Sequence, residues 1–149
     1  MPIIDSIPTT RSVIRNTLIE ASLYSEAAVE LLMLTAAVES HVGRYLKGGR
    51  GPAMGMFQIE PATEKDIYNH YLYYKTDLAK VVDKFKHDEL KYHIILARII
   101  YLRTGLPLPN KNDTVALAKF WKKHYNTYKG KGTVKKAVEA YEVYALRRA

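Results

Sequence analysis

The chain has 149 residues, 48% of them hydrophobic, no cysteine and a formal net charge of +8. That length and apolar content predict one folded domain with its own core, and they exclude a disordered or low-complexity chain. The absence of cysteine excludes disulfides and thiolate metal sites, while the charge implies attraction to polyanions: nucleic acid, anionic lipid or a bacterial wall.

Residues 1–8 are expected to form an arm, because Pro2 and Pro8 with alternating apolar residues oppose a helix there. Thr9 or Thr10 can cap a first helix with Val13, Ile14, Thr17, Leu18 and Ala21 on its buried stripe. Ser25 caps a second helix, and Glu26 suits the positive dipole of its first turn. From Ala27 to Val38 only Glu30 and Thr35 are polar, so this helix is expected at the centre of the core.

Glu39 falls at the end of that helix. An apolar wall and the negative helix terminus both favour the protonated carboxyl, the state a general acid needs, whereas the bland alternative is a surface glutamate. Gly43, Gly48, Gly49, Gly51 and Gly55 with Pro52 then predict a folded-back loop that brings Gln58 towards Glu39. Glu60 precedes Pro61 at the start of a third helix that runs to about Tyr74 and carries Tyr68, Tyr71, Tyr73 and Tyr74. Those tyrosines either cover the core with a wet edge or stack on sugars.

Asp77 to Lys86 reads as a short helix or turn, and Leu90 to Leu102 as a nearly all-apolar helix packed on the Glu39 helix and ending at Gly105. A linker of Leu106 to Asn112 leads to Asp113, a cap for a helix bearing Leu117, Ala118, Trp121 and Tyr125. Trp121 reads as core or cleft wall. Tyr125-Asn126 closes this helix, and a last one starts at Thr133. The fold class expected is mainly α. The five histidines show no H-E-x-x-H pattern, so no metal and no cofactor is expected.

Glu39-Ser40-His41-Val42-Gly43, the glycine loop, Gly55-Met56-Phe57-Gln58-Ile59, Pro61-x-Thr63 and finally Tyr125-Asn126 together resemble the goose-type lysozymes and the soluble lytic transglycosylases. The first motif is nearer the goose-type branch, and Gln-Ile-x-Pro-x-Thr nearer the transglycosylases. The resemblance spans roughly residues 31–134. It implies a single lysozyme-like domain over residues 9–149, with a glycine-rich loop or short β-ribbon at the cleft, and cleavage of the β-1,4 bond between N-acetylmuramic acid and N-acetylglucosamine in peptidoglycan.

By the same resemblance Glu39 is the acid/base, Ser40, Met56, Phe57, Gln58, Tyr125 and Asn126 bind substrate, and the Tyr125 hydroxyl reaches Glu39 or the sugar. Tyr141 is a weaker match to the cleft. Goose-type enzymes place an aspartate where this chain has Pro52, and another where it has Glu60. The missing loop aspartate favours transglycosylation, in which a single glutamate suffices; hydrolysis with Glu60 as second carboxylate is the alternative. Glu60 otherwise reads as a helix-capping carboxylate.

The partner expected is the glycan strand of the wall. Nucleic acid is not favoured, although a basic non-catalytic protein on the same fold remains a reading of a different class. Residues 1–8 lack the basic start of a secretory leader and no stretch reads as a membrane span. A wall enzyme made without an export signal points to a phage origin, carried in a virion or released through a membrane lesion.

Overall fold

The computed structural model describes residues 7–43, 55–126 and 132–146. The expectations for residues 1–6 and for the heart of the glycine loop with its β-ribbon lie outside these.

Among the described residues there are seven α-helices: α1 (Ile7–Glu20), α2 (Glu26–Ser40), α3 (Pro61–Ile67), α4 (Thr76–Phe85), α5 (Glu89–Leu102), α6 (Thr114–Trp121) and α7 (Val134–Tyr141). The only extended pairing among them is a single bridge at Ile59. Among the described residues no helix is long and apolar enough to cross a membrane. The protein is thus mainly helical, as its apolar periodicity predicts.

Helix α2 is the axis of the molecule. Ala28 through Ala37 are all buried, because the segment is apolar on every side and is surrounded by α1, α5, α6 and α7. Its start is set by Ser25, whose hydroxyl accepts from the Ala28 N–H at 3.0 Å. Asp113 and Thr133 cap α6 and α7 in the same way. Asp88 caps α5. Thr35 donates to the Leu31 carbonyl and pairs with the Tyr101 hydroxyl at 2.7 Å, joining α2 to α5 within the core.

Two departures from the sequence reading are structural. First, α1 begins at Ile7, ahead of the expected Thr9 or Thr10, because Pro8 sits in the first turn, where its missing N–H costs no helical bond. Second, α3, α6 and α7 each run on into a π-helical turn, at Tyr68–Leu72, Lys122–Asn126 and Glu142–Leu146. The helix from Pro61 is therefore nearly as long as expected, but its second half is wound differently.

One end of the bundle is closed by Glu30, the charged residue inside α2. Arg11 of α1 donates to both of its carboxylate oxygens at 2.9 Å, and the Tyr141 hydroxyl of α7 adds a third bond at 2.6 Å. Arg11 also reaches the Ala145 carbonyl at 3.3 Å. Tyr141 thus belongs to this closed base and not to the cleft.

Candidate functional site

The C-terminus of α2 turns sharply. His41, Val42 and Gly43 all have positive φ (53°, 61° and 84°), a strained run for a β-branched valine. The His41 and Val42 N–H groups close the helix on Ala37 and Ala36. The His41 ring stacks on Tyr144, centroids 4.2 Å apart, which ties this reversal to the C-terminal π-turn. The reversal leaves Glu39 at the mouth of a cleft.

Ser40 ties this reversal to the next motif. Its hydroxyl donates to the Met56 carbonyl at 2.6 Å and accepts from the Gly43 N–H at 2.8 Å. With no exposed surface and its one proton committed, Ser40 does not meet the expectation that it binds substrate. Phe57 is fully buried and Met56 9% exposed, so these two also support the turn from behind.

The turn from Gly55 to Gln58 depends on close packing. At Gly55, where φ is +77°, an added Cβ would lie 2.5 Å from His93 Nδ1, so glycine is required there. Gln58, at φ 50°, folds its side-chain amide back onto the Gly55 carbonyl at 2.8 Å. Burial lowers the pKa of His93 beneath this turn, against the opposing pull of Glu89 and Glu64.

The cleft has a volume of about 460 Å³, a size suited to a small-molecule or sugar subsite. Glu39, Gln58, Ile59, Glu60 and Thr63 line one side of the sequence map, and Ile100, Arg103, His124, Tyr125 and Asn126 the other. The residues predicted at Glu39, Gln58, Glu60, Tyr125 and Asn126 therefore share one cavity, although they come from three separate parts of the chain.

Their contacts differ from the expected ones. The Tyr125 hydroxyl donates to the Phe57 carbonyl at 2.7 Å, holding the turn, and does not donate to Glu39. Among the described residues the Trp121 indole does, its N–H meeting Glu39 Oε2 at 3.2 Å. Burial, the nearby charge of Glu39 and then Tyr101 hold the Tyr125 phenol well above its ordinary pKa. Tyr101 stacks behind Tyr125 with centroids 5.4 Å apart. Asn126 accepts from Lys122 at 2.7 Å across the π-turn.

Glu60 occupies the N-cap position of α3 with extended backbone, yet its side chain makes no capping bond. The expected capping role is thus not realised through a hydrogen bond; the carboxylate is exposed and lines the cleft. Arg103 donates to Asp66 at 2.8 Å, which lowers the Asp66 pKa, with His70 assisting. Burial, reinforced by Lys123, lowers the pKa of His124.

Arg103 and His124 were not singled out for the site by sequence, and Trp121 was read only as core or cleft wall, not as a partner of Glu39. A signal existed for both of the missed residues: Arg103 is the first charge after the apolar run of α5, and His124 directly precedes Tyr125. Among the described residues no group of three or more metal-ligating side chains is gathered. Comparison with known protein families, with characterised proteins and with solved structures finds no match.

Proposed function

We propose that the protein cleaves the glycan strands of bacterial peptidoglycan by lytic transglycosylation, with Glu39 as the acid and base. One observation carries this reading: Glu39, Gln58 and the Tyr125-Asn126 pair, widely separated in sequence, line a single cleft at the end of the buried helix α2.

In the reaction, the protonated Glu39 carboxyl gives its proton to the oxygen of the β-1,4 bond, and the bond from that oxygen to C1 of the muramic residue breaks. The resulting carboxylate takes the proton of the muramic C6 hydroxyl as O6 bonds to C1. Glu39 ends protonated, no water is consumed, and the products are a free 4-hydroxyl on glucosamine and a 1,6-anhydromuramic end. Gln58 and Asn126 offer amide groups to the N-acetyl and hydroxyl substituents of the sugar. Positioned proton transfer of this kind is worth about 10²- to 10⁴-fold.

A second reading, hydrolysis, is favoured by the position of Glu60. An exposed carboxylate that lines the same cleft and makes no capping bond is available to activate a water there. Mass spectrometry of muropeptides released from purified peptidoglycan separates the two. Anhydromuramic ends are expected; reducing muramic ends as the main product would replace the transglycosylase with a hydrolase, and no cleavage would refute both.

A further inference from the structure

Trp121 is the only tryptophan in the chain and is 1% exposed. It closes α6, immediately before the π-turn that carries His124, Tyr125 and Asn126. Its indole N–H donates to Glu39 Oε2 at 3.2 Å, across a sequence separation of 82 residues. The far edge of the same ring is pressed against Gly132, where an added Cβ would lie 2.5 Å from Cη2 and 3.3 Å from Cζ2. The indole is therefore seated between the approach to α7 and the end of α2.

We propose that Trp121 is a positioning residue for Glu39, fixing one carboxylate oxygen so that the carboxyl faces the cleft in a defined rotamer. The inference rests on the reading of Glu39 as the cleft's acid and base. An indole has one donor and no acceptor, so the contact can only run from nitrogen to carboxylate. A glutamate at a helix end has several rotamers of similar energy, and a donor on a rigid, buried ring selects among them. The N–H is neutral, so it orients the carboxyl without itself adding a charge. The charge of Glu39 is felt by Tyr125 and Tyr101, which flank it from the π-turn and from α5.

Because no other tryptophan exists, growth of a tryptophan auxotroph on benzothienylalanine replaces this position alone with a ring of the same shape and no N–H. On purified peptidoglycan the substituted protein is expected to lose kcat on the order of 10- to 100-fold, with KM within about twofold and thermal melting unchanged. The alkaline limb of its pH–rate profile should move to higher pH, because a donor that favours the carboxylate has been removed. Trp121→Phe should act in the same direction with some loss of stability. Unchanged kcat and pH profile in the isostere would overturn the proposal.

A second measurement does not depend on catalysis. The fluorescence of the single tryptophan should show a titration step that is missing in Glu39→Gln. Superimposable fluorescence titrations would mean that indole and carboxyl are not joined in solution, and would overturn the proposal on geometric grounds. Absence of cleavage by the unsubstituted protein would instead refute the functional reading and with it the catalytic part of this proposal, and the fluorescence would then decide the contact alone.

Discussion

The closed base and the cleft each hold a glutamate of α2, Glu30 in one and Glu39 in the other. Glu30 receives a two-pronged guanidinium and a phenol, at 2.6 to 2.9 Å, from two other helices. Glu39 receives a neutral indole N–H at 3.2 Å and opens on a cavity. Residue type and helix are the same in both cases. A carboxylate held by a cation and nearly closed off from water is a structural cross-link, since protonating it would strand the arginine. One that lines an open cavity can exchange a proton with what binds there.

The same isosteric change at both sites should therefore give opposite phenotypes. Glu39→Gln is expected to lower wall cleavage by about 10²- to 10⁴-fold while the denaturation midpoint stays put; a turbidity assay with near-normal activity would remove Glu39 from the chemistry. Glu30→Gln should leave the activity of the folded fraction intact but cost about 3 kcal/mol in urea unfolding, because Arg11 keeps its charge and loses its partner. If both variants lost stability alike, the contrast between base and cleft would be false.

A smaller effect is expected from Tyr125→Phe. The change leaves the Phe57 carbonyl without its donor, which should destabilise the protein by about 1–2 kcal/mol and reduce cleavage only as far as the turn loosens. A large loss of rate with unchanged melting would show that the hydroxyl acts on substrate directly. The smallest effect concerns Glu60→Gln, expected to change cleavage by less than about threefold, against the 100-fold or more that loss of a general base would bring. A large loss there, with reducing ends among the products, would extend the role of Glu39 to a pair of carboxylates.

What could be read from the sequence is what is local. Ser25, Asp113 and Thr133 were legible as caps because an N-cap bond spans only three residues. The burial of α2 followed from its composition, and the position of Glu39 at its exit followed from that. The partner choices were not legible. Nothing near Glu39 names Trp121 as its donor, and nothing in Tyr125-Asn126 says that the phenol serves the Phe57 carbonyl, because both contacts exist only after the helices have packed. Ser40 misleads for a related reason: a serine beside a candidate acid reads as a binding group until the Met56 carbonyl is seen to take its proton.

The π-turn at Lys122–Asn126 has a consequence for how such a cleft can arise. A turn of this kind holds about one residue more than an α-helical turn, in which each residue advances by about 100°. Everything up to Trp121 keeps its seat in the core, while Tyr125 and Asn126 are carried round by about one residue's rotation. The widened turn thus sets which way the last two side chains of this helix face without disturbing the packing behind them.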